Sequence, residues 1–194
     1  NLPADGLMSA IDILQRGRTR EVDVGLVTAA DRSFYFINIV LMGFAVDASL
    51  AARQLKFLGQ PAYTLATLWQ VLKLKSYPLR MEIDGKPRQS NNVFIAISNS
   101  RYTGTHFLMA PGAVLDDGRL DVTILASLPR RRLLKLFPSI YSGRHVEYAE
   151  VSTCQATRIS ISSPQGFPLG PDGEFYGHSP VEITCLPRDL AIFC

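Results

Sequence analysis

With 194 residues, 47% of them hydrophobic and 19% charged, the chain is long enough for one sizeable core, or for one core with an appendage. A net charge of +3 is too mild for a nucleic-acid partner, and no basic stripe is interleaved with aromatics, so no nucleic acid is expected. No run reaches the roughly 18 uninterrupted apolar residues of a spanning helix; the most apolar piece, Phe34 to Leu50, is broken by Asn38, Gly43 and Asp47. Cys154, Cys185 and Cys194 are odd in number and lack metal-ligand spacing, which points to a reducing, cytoplasmic compartment. Asn1 is not a methionine and Leu2-Pro3-Ala4-Asp5 reads as the middle of a protein, so a fragment or processed product is expected.

In chain order, Asp5 caps a predicted helix to Arg16, with Leu7, Met8, Ile11 and Leu14 on one face and Gly17 at its end. Alternating Val22, Val24 and Leu26 predict a strand that turns at Ala29-Ala30-Asp31-Arg32 into a second, Phe34 to Val40. From Asp47 the spacing is helical through Leu55 and Leu58 to a stop at Gly59-Gln60-Pro61. A further helix is expected from Tyr63 to Lys75; its Leu65, Leu68, Trp69 and Leu72 share a face, so Trp69 is read as core. Strands then dominate. Leu79, Met81 and Ile83 run into the hairpin signal Asp84-Gly85, the partner strand resumes by Asn92, and Asn99 to His106 reads as a polar loop. Pro129 opens a helix with Leu133, Leu134, Leu136, Phe137 and Ile140 on its apolar side, which Pro138 kinks or ends. Short alternating runs follow at Tyr148 to Cys154, Ala156 to Ser162, Val181 to Cys185 and Leu190 to Phe193. About ten strands and three or four helices in this order predict an α+β fold, a predominantly antiparallel β-sandwich or flattened barrel.

Two acidic turns carry candidate chemistry. Leu169-Gly170-Pro171-Asp172-Gly173-Glu174-Phe175 sets two carboxylates on either side of a glycine, among Pro168, Pro171 and Pro180, which keep it out of any helix. Asp-Gly is a common hairpin turn, which would leave both acids in solvent. Equally, the glycine lets the backbone approach a phosphate or hydroxyl, where one carboxylate takes a proton while the other orients it or holds a metal. The second turn, Leu115-Asp116-Asp117-Gly118-Arg119-Leu120-Asp121, packs three carboxylates around a glycine, an oxygen-rich pattern for magnesium or calcium or, again, a plain hairpin. Arg130-Arg131-Arg132 with Lys135 is either a solvated helix start or a patch for anionic headgroups. His106, His145 and His178 are scattered and read as surface or loop residues. Walker loop, dinucleotide fingerprint, zinc spacing and Gly-x-Ser-x-Gly elbow are all absent.

The order of these pieces resembles the C-terminal domain of the diacylglycerol kinase catalytic family, which includes bacterial lipid kinases, sphingosine kinases and ceramide kinases and is distantly related to NAD kinases. The marks are Phe36 to Asp47 with its Gly43-Phe44-x-x-Asp47-Ala48, Asn92 to Asn99, Ala110-Pro111, Leu115-Asp116-Asp117-Gly118-x-Leu120-Asp121, and Asp172-Gly173-Glu174. The resemblance implies a helical connection over residues 1–20 from a nucleotide-binding domain, and a β-sandwich substrate-side domain over 21–194. It makes Glu174 the catalytic acid and Asp172 its partner. It makes Asp117 the side-chain ligand of a structural Mg2+, with the carbonyls of Val114 and Arg119 in the shell and Asp116 linking the ion toward the cleft. ATP would be held mainly by the other domain, whose Gly-Gly-Asp-Gly-Thr loop this sequence lacks, so the chain alone is expected to be inactive. A departure is that Gly104 is followed by Thr105-His106 where the family often has a glycine pair. The implied function is phosphorylation of a diacylglycerol-like lipid hydroxyl, with a lipid substrate as partner, at the inner membrane face as a peripheral protein, and it leaves room for a homodimer. Apolar residues in Phe34 to Leu50 and Leu65 to Leu74 are the expected lipid slot. A kinase of a soluble nucleotide, and a non-catalytic lipid- or metal-binding sandwich, are the alternatives.

Overall fold

The computed structural model describes residues 7–54, 69–104 and 106–194. Its centre is a long strand. Asp84 and Gly85 both take positive φ (46° and 78°), the conformation a tight two-residue hairpin needs, and so join β4 (Tyr77–Ile83) to β5 (Lys86–Ser98). Because the turn sets Ile83 opposite Lys86, β5 starts at once rather than at Asn92 as expected. The first half of β5 pairs with β4. Its second half lies between β3 (Ile39–Gly43) and β8 (Leu120–Ala126).

Around it runs one antiparallel sheet of 11 strands. β1 (Thr19–Ala29) pairs with β2 (Ser33–Phe36) and with β13 (Val181–Phe193), and β13 pairs in turn with β10 (Arg158–Ser162). β9 (Val151–Ala156) flanks β8, while β11 (Pro168–Pro171) and β12 (Gly177–His178) extend the β3 side. A separate small hairpin, β6 (Tyr102–Thr103) with β7 (Phe107–Leu108), occupies what reads in sequence as polar loop. The α+β, mainly antiparallel architecture is as expected, and the sheet curls as a half-barrel rather than splitting into two flat layers.

The sheet is buried on both faces near β5. Ile95 and Ile97 join Val122, Ile124, Ile159 and Phe167 on one side, whereas Phe94 and Ala96 join Leu125, Leu133 and Leu136 on the other. This is why the second half of β5 is a continuous apolar run rather than an alternating one. Truncating Ile97, which is fully buried, to alanine would cost roughly 2–5 kcal/mol.

α1 (Leu7–Arg16) precedes β1, and α2 (Phe44–Gln54) begins three residues before the predicted Asp47. Its start is set by Gly43: at φ 79° a Cβ there would lie 2.4 Å from the Phe167 ring and 2.5 Å from the Val93 carbonyl. Between Pro129 and Gly143, α3 (Arg130–Leu136) gives way to a 3₁₀ segment, Phe137–Ser142, as Pro138 requires; a second 3₁₀ turn, Arg144–Glu147, follows.

Several expectations are corrected. The predicted strand Phe34 to Val40 is two strands, interrupted at Ile37 and Asn38, whose amides turn toward another segment. Pro168–Pro171, expected to be turn, is a buried strand on β3, and the two predicted C-terminal strands are one. Trp69 is 55% exposed, under Lys73 at 4.9 Å, not core; its helical turn at 69–72 buries Val71 instead. His145 is 2% exposed, not a surface residue. The stop at Gly59-Gln60-Pro61 and the slot residues Leu65 and Leu68 lie outside the described residues.

Candidate active site

The Asp172-Gly173 turn is built from two successive positive φ values, 42° and 87°, closed by the Glu174 amide donating to the Pro171 carbonyl at 2.8 Å. This is the predicted Asp-Gly turn, but Asp172 does not face solvent uncommitted. Its carboxylate accepts three backbone amides from the break between β2 and β3: Ile37 at 3.1 Å, Asn38 at 3.2 Å and Ile39 at 2.9 Å. Its own amide donates to the Ile39 carbonyl at 2.8 Å. Charge-assisted bonds of this kind are the strong ones, and three of them, with one backbone–backbone bond beside them, fix the turn across about 135 residues of sequence separation. Glu174, two residues on, is exposed on that platform.

Behind the turn lies an apolar cavity of about 390 Å3. Leu41, Phe44 and Ala48 line one side, Leu133, Leu136 and Ile140 the other, and Gly173 reaches its edge. Within Phe34 to Leu50, then, the expected slot residues are Leu41, Phe44, Ala45, Ala48 and Ser49. A smaller recess bounded by Gly170, Gly173, Glu174 and Phe175 shares Leu41, Ser49 and Gly173 with the cavity, so Glu174 and the apolar space adjoin across those three residues. A cavity of this size with few polar groups suits a chain-bearing small molecule. His145 also lines it. Its Nε2 donates to the Met109 carbonyl at 3.0 Å, Nδ1 has no hydrogen-bond partner among the described residues, and burial pushes its pKa below 6.5, so the ring is neutral at pH 7.

The second acidic turn is held differently. Gly118 takes φ 74°, and its amide donates to Asp23 Oδ2 at 2.7 Å. Asp23 is wholly buried, its Oδ1 accepts the Arg188 amide at 2.8 Å, and its own amide donates to the Leu115 carbonyl at 2.7 Å. Asp117 is left with Oδ1 accepting the Arg119 amide at 3.0 Å and Oδ2 accepting Gln155 Nε2 at 3.2 Å. The same Gln155 nitrogen reaches Asp121 at 3.4 Å. Burial raises the Asp121 pKa, the amide of Gln155 opposes that, and the Asp117 charge adds to it. Asp116 points away to Arg20, at 2.8 Å. Val114 is exposed beside the turn.

Asp23 and Gln155 carry no signal in the sequence reading. An acid between Val22 and Val24 in an alternating strand should face solvent; the register of β1 against β13 shifts between those two valines and turns Asp23 inward. Asn99 completes the link between the turns: its Nδ2 donates to the Asp23 carbonyl at 2.7 Å and to the Ile37 carbonyl at 2.9 Å. A continuous chain of hydrogen bonds therefore runs from Asp172 through the Ile37 backbone and Asn99 to Asp23 and Gly118.

Residues 38–194 match the family model described as the YegS C-terminal NAD kinase beta sandwich-like domain. The chain belongs to that family. Among curated relatives, a diacylglycerol kinase of Mycobacterium tuberculosis is 31% identical over 98% of this chain and 62% of its own length. A diacylglycerol kinase of Bacillus subtilis is 25% identical over the same shares. The chain thus spans about 62% of the length of these relatives. The crystal structure of a diacylglycerol kinase from Bacillus anthracis superposes with a TM-score of 0.69, covering 99% of this chain and 60% of that one at 16% identity, which shows the shared fold. Among the described residues no helix is long and apolar enough to cross a membrane.

Proposed function

We propose that this chain is the substrate-side domain of an ATP-dependent lipid kinase that phosphorylates a diacylglycerol-like hydroxyl, with Glu174 as the catalytic base. The observation that carries the reading is the apolar cavity that meets the Glu174 recess at Gly173. An acyl chain in the cavity would bring its headgroup hydroxyl to the carboxylate, and Asp172 would keep that carboxylate in place by fixing the turn. Phosphoryl transfer is mostly positioning and charge stabilisation, so the acid's part is to receive the hydroxyl proton as the acceptor is held in line. The nucleotide would bind outside this chain, which by itself would be inactive. A kinase of a soluble nucleotide fits the apolar lining poorly.

The donor set around Asp117 suits a hard cation. Among the described residues no three His, Cys, Asp or Glu side chains converge on one point, so a metal here would use Asp117, backbone carbonyls such as those of Val114 and Arg119, and water, the mix that Mg2+ accepts. The unfavourable proximity of Asp117 and Asp121 is the kind of charge a cation relieves. Mg2+ would supply positive charge there and brace the turn that Asp23 holds.

The test is ATP-dependent phosphorylation of a short-chain diacylglycerol in detergent by the full-length protein. Glu174→Gln should lower the rate by on the order of 10²-fold or more. An undiminished rate in that variant overturns the assignment, and phosphorylation of NAD in place of the lipid overturns the substrate class.

A further inference from the structure

The inward and outward faces of α3 are chemically opposite, and the outward one is not explained by the cavity. Leu133 and Leu136 are buried and form cavity wall, with Phe137 and Ile140 continuing it. At 100° per residue, Arg131 and Lys135 stack on the far side of the helix, and Arg130 and Leu134 stack next to them. Arg132 is committed, its Nε 2.6 Å from Glu150 Oε1 and its guanidinium 5.2 Å over the Tyr148 ring. Among the described residues, Arg130, Arg131 and Lys135 have no ion pair or side-chain hydrogen bond. Three uncompensated cations on two turns of helix repel one another, which a folded chain tolerates at no benefit to itself. Exposed apolar groups accompany them: Leu134 is 46% and Tyr141 54% exposed, the latter packed on Phe107 at 4.9 Å.

We propose that this face docks on an anionic lipid bilayer, with Arg130, Arg131 and Lys135 against the headgroups and Leu134 and Tyr141 at the depth of the interface. The proposal rests on the lipid-kinase reading for its purpose: the helix that touches the membrane is also a wall of the apolar cavity, so docking would bring the cavity to the substrate's own phase. A bilayer fits better than a nucleic acid or an acidic protein because it alone offers anionic charge over an apolar layer, matching cations flanked by an aliphatic and a phenol side chain. Each basic residue near an anionic surface adds about a factor of five in partitioning, so three together give on the order of 10²-fold.

The experiment is co-sedimentation of the purified chain with vesicles of phosphatidylcholine alone and with 30% phosphatidylglycerol as an anionic probe, roughly at physiological salt. The expected result is selective binding to the anionic vesicles, lost by on the order of 10²-fold or more in the charge-reversing triple variant Arg130→Glu, Arg131→Glu, Lys135→Glu. A control triple, Arg18→Glu, Arg80→Glu, Lys86→Glu, makes the same charge change at exposed positions elsewhere and should bind as the parent does. Equal loss in both triples, or no loss in the first, overturns the proposal, as does tighter retention of a mixed-sequence RNA than of anionic vesicles. Failure here is separable from failure of the kinase reading. The full-length protein bearing the α3 triple should still phosphorylate detergent-dispersed diacylglycerol, whereas a wild-type protein that binds vesicles but phosphorylates nothing in detergent sinks the kinase reading alone.

Discussion

Two Asp-Gly turns in this chain look alike as sequence and are built in opposite ways. At Asp172-Gly173 the turn's own acid, though exposed, gathers three amides of the β2–β3 break, with Glu174 beside an apolar recess. At Asp117-Gly118 the anchoring acid is foreign: Asp23, buried on β1, grips the Gly118 amide, and the turn's own carboxylates project toward each other around Gln155. One turn commits its own aspartate to holding the backbone, with Glu174 two residues on. The other takes its anchor from Asp23 and leaves Asp117 and Asp121 sharing the Gln155 amide. The lesson is that an acidic turn's function depends on which carboxylate the backbone has already claimed.

The largest expected effect separates the two acids of the first turn. Glu174→Gln should lower the activity of the full-length protein by on the order of 10²-fold or more and shift its melting temperature less than Asp172→Ala does. Asp172→Ala should lower activity and melting temperature together, because three amides lose their acceptor. If both variants stay equally stable, Asp172 does not hold the turn.

Next comes the borrowed anchor. Asp23→Ala strips two part-buried amides, those of Gly118 and Arg188, of their acceptor and should cost about 2 kcal/mol, read as a shift of the urea midpoint. Asp23→Asn, which keeps one acceptor oxygen, should recover part of the loss. A loss below about 0.5 kcal/mol in Asp23→Ala would mean that the second turn holds itself together.

A smaller effect concerns the outward acids. Millimolar Mg2+ should raise the melting temperature of the wild-type chain and leave that of Asp117→Asn unmoved. The same rise in Asp172→Asn would confirm that the cation prefers the second turn. An identical rise in Asp117→Asn would remove that residue from the binding set.

The smallest effect is a pH dependence. Burial raises the Asp121 pKa in the folded chain above its ordinary 3.8, so between that value and the folded pKa the folded state binds more protons than the unfolded one. Stability from this group therefore rises as pH falls through that window, and above it the ionised carboxylate subtracts from stability. Asp121→Asn should then be slightly more stable than wild type at neutral pH without metal, and the advantage should shrink toward pH 4. A variant less stable at neutral pH would show that the Gln155 bond outweighs the cost of burial.

What the sequence determined alone is what local chemistry controls. Asp84-Gly85 and Asp172-Gly173 both take the left-handed turn geometry that Asp-Gly favours, Pro129 and Pro138 bound a helix, and the alternation of Leu79, Met81 and Ile83 marks a strand. The marks that carry the family resemblance are of this kind, short and local, which is why the fold class was legible. Tertiary structure decided the rest. Pro168–Pro171 becomes a strand because β3 supplies the pairing partner, and Asp23 is buried because a register shift against β13, more than 150 residues away, turns it inward. Whether Asp172 is a reactive acid or an anchor depends on amides more than 130 residues distant, and whether His145 or Trp69 is buried depends on the elements that cover them. Such outcomes are settled by long-range pairing, where burial and hydrogen bonding between remote segments outweigh local preference.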